Sequence, residues 1–371
     1  MRKGWAVAVL ICALVLGLSV PSGAIAPPTT SARCAVLMDA ASGRVLYAQN
    51  ADEPRPIASI TKLMTALVAA EALDLDAPVT IRPEWTGIEG TSLYLRAGEV
   101  LTVRTLLYGL LLHSGNDAAV ALAGASAGDV PTFVGWMNER AAELGMAHTR
   151  FSDPHGLSDG DHYASARDMA LLACACLKNE TVAAIVATKS IVCEGRSLTN
   201  HNKLLWRYDG CTGMKTGYTR QAGRTLVSSA VRDGRSLVCV TLCDGDDWRD
   251  HAALLDYGFA AYPLETVAAA GTEVARVPVA GSLVWCVPVT VRDDFAWPLA
   301  EGETARWELL LPEQAEAPVQ AGHLAGAVRF WLGQELIGER YLVWGRDVGR
   351  DVLGPHRSWR DRLGAVVDLL G

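Results

Sequence analysis

The chain predicts an α+β fold in two units, and three observations carry that expectation. Short β-like runs come first, a long helical stretch fills the middle, and strand chemistry returns only after residue 210, an order unlike βαβ alternation. Beyond Pro263 helical periodicity vanishes. A chain of 371 residues is also longer than one ordinary domain.

The elements follow in order. Residues 34–40 and 44–48 read as strands joined by Ala41-Ser42-Gly43, a hairpin. Residues 59–73 read as a helix, because Ile60, Leu63, Met64, Leu67 and Val68 form one apolar stripe after Pro54 and Pro56. The pattern stays mainly helical to about 190: residues 101–112 are strongly apolar, and Phe133, Trp136, Met137 and Leu144 recur at helical spacing and stop at Gly145. Ser165 with Asp168 has the form of a capping box ahead of a helix over 169–177. Strands are predicted at 213–219, 224–231 and 236–242, the last two joined across Asp233-Gly234. A helix at 252–259 then closes an antiparallel sheet with its helical cluster. Runs at 273–277, 283–291, 306–311, 327–332 and 341–344 predict about five strands of a small β-rich domain. Near the carboxyl end Trp359, Leu363, Val366, Val367 and Leu370 share one helical face, with Arg357, Arg360 and Arg362 off it or at its edge. The expected organisation is a leader at 1–24, a catalytic domain at 33–262, a β-rich domain at 263–352 and an amphipathic tail at 353–371.

Composition narrows function. Half the residues are apolar and a fifth are charged, so the chain is not disordered. Thirty-three basic against 41 acidic residues give −8, which argues against a broad nucleic-acid-binding surface. Arg2 and Lys3 precede an apolar run over 5–20 and then Pro21-Ser22-Gly23-Ala24-Ile25-Ala26, the layout of a secretory signal cleaved after Ala24; an uncleaved membrane span is the alternative. Either way the bulk of the chain is expected outside the cytoplasm. Nine cysteines occur, but with no Cys-x-x-Cys and no zinc-like Cys/His spacing most read as small buried hydrophobes. Only six of the 33 basic residues are lysines, so a lysine here deserves scrutiny as a group able to lose its proton.

Three short motifs carry chemistry. Ser59-Ile60-Thr61-Lys62 opens the first long helix, Ser114-Gly115-Asn116 ends an apolar one, and Lys215-Thr216-Gly217 lies on a strand. Taken alone, Ser59 is an ordinary N-cap. Positions i and i+3 of a helix share a face, however, so Lys62 can reach the Ser59 hydroxyl, a poor nucleophile until a base takes its proton. Lys62 must be neutral to do so, and burial plus the like charge of Lys215 both push in that direction.

These motifs, with Arg55-Pro56-Ile57-Ala58, Asp117-Ala118, Asp153-Pro154-His155-Gly156-Leu157 before His162-Tyr163, Asn202-Lys203-Leu204-Leu205, Gly213-Met214, Tyr218-Thr219 and Leu254-Leu255-Asp256-Tyr257-Gly258-Phe259, resemble a D-alanyl-D-alanine carboxypeptidase, a low-molecular-mass penicillin-binding serine peptidase with the β-lactamase-like fold. The resemblance covers roughly 33–262, and beyond that it is one of type. It implies that Ser59 attacks the carbonyl between two D-alanines of a peptidoglycan stem peptide, with Lys62 as base. It also implies that Ser114 and Asn116 relay protons and bind the substrate backbone, and that Lys215 and Thr216 hold the terminal carboxylate beside Gly217. Backbone N–H groups of Ser59 and Tyr218 are the implied oxyanion hole. No metal or organic cofactor is implied, β-lactams are implied as covalent inhibitors, and the tail is expected to lie on the outer face of the membrane. One position departs from the family pattern: an Arg that assists carboxylate binding is implied shortly before the Leu-Leu-x-Tyr-Gly-Phe segment, where this chain has Asp247, with Arg249 two residues on as the candidate replacement.

A metal-dependent peptidase is the first rival reading. His148, His155 and His162 recur among Asp153, Asp159 and Asp161, but in a Gly/Pro/Asp-rich loop that confers no common face, so an ordered loop is expected there. His113 and His201 are expected to be structural. A β-lactamase needs a dedicated deacylating Glu, which is not evident; a D,D-endopeptidase cuts the same bond type; an inactive wall-binding homologue has no need of Ser59, Lys62 and Lys215 together.

Overall fold

The computed structural model describes residues 25–157 and 160–351. The expected leader at 1–24 and tail at 353–371 lie outside the described residues.

The first hairpin is β1 (Cys34–Asp39) and β2 (Val45–Gln49), followed after a tight turn by α1 (Lys62–Ala72). A short pair, β3 (Pro78–Thr80) and β4 (Val100–Thr102), leads into α2 (Val103–Tyr108), α3 (Asn116–Ala127), α4 (Val130–Glu143), α5 (Ala166–Lys178) and α6 (Glu180–Ala187). A second short pair, β5 (Ser190–Cys193) and β6 (Arg196–Thr199), and a single turn of helix, α7 (Leu204–Arg207), precede β7 (Cys211–Thr219), β8 (Gly223–Arg232), β9 (Arg235–Leu242) and α8 (Asp247–Ala261). The five long strands form one antiparallel sheet in the order β2-β1-β9-β8-β7, leaving β7 at an edge.

Period-two burial gives this sheet two hydrophobic faces. Cys34, Val36 and Met38 of β1 and Val238, Val240 and Leu242 of β9 join the core shared with α1, α3 and α5. The intervening Ala35, Leu37, Leu237 and Cys239 pack with Leu254 and Leu255 of α8 on the other side. The result is helices on both faces of an antiparallel sheet, as expected of the α+β class.

The second unit contains β10 (Leu264–Ala268), β11 (Glu273–Ala280), β12 (Cys286–Val291), β13 (Phe295–Pro298), β14 (Arg306–Leu310), β15 (Ala315–Glu316), β16 (Leu324–Leu332) and β17 (Glu335–Trp344). Six of them form the sheet β14-β16-β17-β12-β11-β15 around Val287, Val289, Val328, Phe330 and Leu342. Sequence patterning missed β10, β13 and β15, which are short and lack a clean alternation. Arg44 ties the two units together, its guanidinium reaching both Glu303 carboxylate oxygens (2.6 and 2.8 Å) and the Pro298 carbonyl.

Three further departures have local causes. The helix expected from 59 begins as a 3₁₀ turn, Ala58–Thr61, because Ala58 sits at φ +50°, a left-handed entry that delays α-geometry until Lys62. The run 101–112 is a strand, a helix and a π-turn (Gly109–His113) ending at Ser114, whose φ is +68°. The capping box is half formed. Ser165 Oγ accepts from the Asp168 amide (3.1 Å), whereas the short Asp168 carboxylate accepts from His148 N and Thr149 Oγ1, both at 2.7 Å. Among the described residues no single helix is long and apolar enough to cross a membrane, and all eight cysteines are free thiols, Cys34, Cys174, Cys176 and Cys239 being buried.

Candidate active site

The site forms where edge strand β7 runs alongside the 3₁₀ turn that carries Ser59. Thr225 Oγ1 of β8 donates to Ile57 O (3.0 Å), anchoring the turn to the sheet. Contact is so close at Gly217 that an added Cβ would lie 2.5 Å from Thr225 Oγ1 and 2.9 Å from the Ser59 amide nitrogen. Only glycine lets the β7 backbone approach the nucleophile this way. The geometry brings the backbone of β7 beside the Ser59 amide, the neighbourhood an oxyanion hole requires.

Lys62 lies one turn on, fully buried, and its Nζ donates to Ser59 Oγ at 2.8 Å and to His155 O at 2.8 Å. The second contact depends on a loop braced from several directions. The Asp153 carboxylate accepts from the His155 amide (2.7 Å) and the Gly156 amide, Thr65 Oγ1 donates to Pro154 O (2.6 Å), and His162 Nε2 bonds Thr61 Oγ1 (2.7 Å). Gly156 has φ +88°, and a Cβ there would fall 2.0 Å from Ala58 O. The histidine-rich stretch thus fixes the walls around Lys62: His155 is held near pKa 4 by burial, and His162 is also lowered by burial. Among the described residues no group of three or more His, Cys, Asp or Glu side chains could hold a metal ion.

Ser114, in its left-handed conformation, turns the chain from the π-turn into α3, where Asn116 is the first residue. Asn116 Nδ2 donates to Glu89 O and its amide to Thr91 O (2.7 Å), while its buried Oδ1 has no hydrogen-bond partner among the described residues. Asp117 locks the facing loop, accepting from Ser92 Oγ (2.6 Å), Leu93 N (2.9 Å) and Leu95 N (3.1 Å).

Lys215 is buried at the floor, its Nζ donating to Thr216 O (2.9 Å). Burial lowers its pKa to about 7. Burial also drives Lys62 well below the ordinary lysine range, and the like charge of Lys215 pushes it further, against the attraction of Asp153 and Asp117. Burial and the like charge of Lys215 therefore both favour the neutral amine at Lys62. It already touches a hydroxyl, so the pair has the contact, and a shift in the direction, that general-base activation of a serine demands.

Ser59, Ser114, Thr216, Gly217 and Tyr218 line one open cleft of about 520 Å³; Lys62, Asn116 and Lys215 stand buried behind its wall. A larger groove of about 840 Å³ lies where α8 meets the second unit, but it contains no paired nucleophile and base. The cleft is also lined by Asp247, which the sequence placed where the family pattern has a carboxylate-binding Arg, and by Thr91, His201, Arg224 and Trp248, which sequence reasoning did not place there. His201, expected to be structural, belongs to this wall; burial holds it near pKa 4 and its ring packs 5.5 Å from that of His113. Arg249 does not line the cleft: its side chain is 82 % exposed and its ion-pair partner is Asp246 at 3.9 Å. The hairpin register could have found Arg224, since counting back across the turn sets it opposite Tyr218.

Comparison with known proteins agrees with this architecture. The D-alanyl-D-alanine carboxypeptidase family matches residues 22–245, and the C-terminal domain of penicillin-binding protein 5 matches residues 262–350. The D-alanyl-D-alanine carboxypeptidase DacF of Bacillus subtilis is 31 % identical over 324 residues, covering 83 % of each chain, and DacC of Escherichia coli is 34 % identical over 341 residues, covering 85 % of this chain and 84 % of that one. The crystal structure of penicillin-binding protein 5 from Haemophilus influenzae superposes with a TM-score of 0.73 at 31 % identity, covering 88 % of this chain and all of that one. With two-domain coverage at this identity, the chain belongs to the D-alanyl-D-alanine carboxypeptidase family of low-molecular-mass penicillin-binding proteins.

Proposed function

We propose that the protein removes the terminal D-alanine from peptidoglycan stem peptides ending in D-Ala-D-Ala, through an acyl-enzyme on Ser59. The observation that carries this is the 2.8 Å contact between Ser59 Oγ and the fully buried Lys62 amine, whose desolvation favours its neutral form. Lys62 takes the hydroxyl proton as Oγ bonds to the penultimate carbonyl carbon. The oxyanion is met by the backbone amides of Ser59 and Tyr218. The C–N bond then breaks, the proton passes to the departing amine of D-alanine, and water cleaves the ester, restoring Ser59 and releasing the shortened peptide as a carboxylate. Asn116 Oδ1 offers the acceptor a substrate N–H needs, Ser114 passes protons, and Lys215 and Thr216 hold the terminal carboxylate.

A β-lactam offers the same carbonyl and carboxylate, but its leaving group stays tethered and shields the ester from water, so a penicilloyl adduct should persist. The leader at 1–24 and the amphipathic tail at 353–371 extend the proposal to location: an exported enzyme held on the outer face of the membrane. The primary test is release of free D-alanine from a D-Ala-D-Ala peptide, together with one added drug mass on the Ser59 peptide after benzylpenicillin. Cleavage of cross-linked dimers alone would point to endopeptidase action, and rapid drug hydrolysis without an adduct to a β-lactamase. Co-sedimentation with liposomes of the full chain, but not of a chain ending at 352, is expected; equal partitioning removes the anchor.

A further inference from the structure

The one guanidinium among the described residues lining the cleft belongs to Arg224, at the start of β8 and directly opposite Tyr218 of β7. It is held from behind. Asp247, at the start of α8 and only 4 % exposed, accepts from Arg224 Nε at 3.0 Å and from Nη2, and the guanidinium carbon lies 5.6 Å from the centre of the Trp248 ring. This fork uses the Nε/Nη2 edge of a planar group that has a second edge, Nη1/Nη2, suited to another carboxylate. No other hydrogen bond or ion pair engages the Arg224 guanidinium among the described residues, and its side chain stays 44 % exposed.

A cation is needed at this end of the cleft for a physical reason. Lys215 is the other cation available to a carboxylate, yet it sits buried behind the wall with a pKa near 7, so it carries only part of its charge at neutral pH. Arginine stays charged throughout. The remaining neighbours do not supply the charge: His201 is neutral with its pKa near 4, Asp247 is the anchoring anion, and Arg249 points its exposed side chain at Asp246.

Resting on the function proposed above, we propose that Arg224, oriented by Asp247, recognises the C-terminal carboxylate of the acyl donor together with Thr216 and Lys215. The acid on the helix and the base on the strand form one device. Asp247 at a position where relatives carry an arginine is then a relocation of the cation from α8 to β8 and not a loss of it.

The test compares the second-order acylation of Ser59 by benzylpenicillin and by its methyl ester, read by intact-protein mass spectrometry. Arg224→Gln should slow the carboxylate ligand at least tenfold more than the ester, and Asp247→Asn, which frees the guanidinium without removing it, should lose less of that discrimination. Arg224→Lys should retain part of it. If Arg224 merely braces α8 through Asp247, Arg224→Gln and Asp247→Asn will lower both ligands equally and the proposal is overturned. A measurement on the unaltered enzyme backs this: discrimination between acid and ester should survive at pH 8.5, where Lys215 is largely neutral, and its collapse there would equally overturn the proposal. Failure of the functional reading looks different, since the unaltered enzyme would then give neither D-alanine release nor a Ser59 adduct.

Discussion

Replacing Lys215 by Met should stabilise the fold while disabling the site. The unfolded chain holds a proton on this lysine up to about pH 10.5, whereas the folded chain releases it near 7. Between those values the unfolded state binds more protons, so stability rises with pH, and the penalty of folding is full below pH 7 and gone above 10.5. Each pH unit of the window is worth about 1.4 kcal/mol, which makes the penalty about 4 kcal/mol at pH 7 and between 2 and 3 kcal/mol at pH 8.5. Met fills a similar volume without charge; it forfeits the 2.9 Å bond to Thr216 O, about 1 kcal/mol. The variant should therefore be about 3 kcal/mol more stable at pH 7, and its advantage should shrink by between 1 and 2 kcal/mol at pH 8.5. Comparing the two proteins at both values cancels the contribution of buried thiols such as Cys34 and Cys174, which resist ionisation and act mainly at higher pH. Urea unfolding of the catalytic domain, followed at both pH values, measures the quantity, and benzylpenicillin acylation of the same samples should be slowed by two orders of magnitude or more. A variant less stable than the parent, or a difference that does not change with pH, would refute the assignment of Lys215 as a desolvated, weakly protonated amine.

Lys62→Arg should lower acylation about 10³-fold, because a guanidinium holds its proton at working pH and general-base help is worth roughly 10²–10⁴; retention of most activity would exclude Lys62 as the base. Gly217→Ala should cost about 1–3 kcal/mol of stability and on the order of 10² in acylation rate, since the new methyl meets Thr225 Oγ1 and the Ser59 amide; an unaffected rate would mean that β7 does not need that proximity. His251 is fully buried between Ser228 Oγ (2.6 Å) and Thr241 Oγ1 (2.9 Å) with its pKa pushed down to about 3 by burial. Its folded form resists protonation, so stability is intact above pH 6.5 and is lost as pH falls toward 3. From pH 6 to 4 this residue should remove about 2–3 kcal/mol, a slope absent in His251→Gln when both are unfolded in urea.

Much of the candidate site was legible in sequence because its geometry is local. Ser59 and Lys62 are three residues apart, and helical or 3₁₀ geometry brings such neighbours together without help from the rest of the chain. Ser114-Gly115-Asn116 and Lys215-Thr216-Gly217 are likewise short segments whose backbone demands, a left-handed turn and a strand without a Cβ, are written in their residues. The short apolar runs of β1 and β9 were legible as strands, and the structure buries both of their faces.

What only the tertiary structure decided depends on contacts between distant segments. The His155 carbonyl meets Lys62 from 93 positions away, which no periodicity encodes. The two amine pKa values follow from desolvation, a property of the folded core and not of a lysine in sequence. Arg224 and Asp247 are 23 residues apart, and the sequence singled out only Asp247, as a departure from the family pattern; the antiparallel register and the start of α8 make them one bidentate pair at the cleft. Local propensity names the residues that can do chemistry, and the long-range packing of sheet against helix selects which of them meet, because burial and register are collective quantities that no short window of sequence contains.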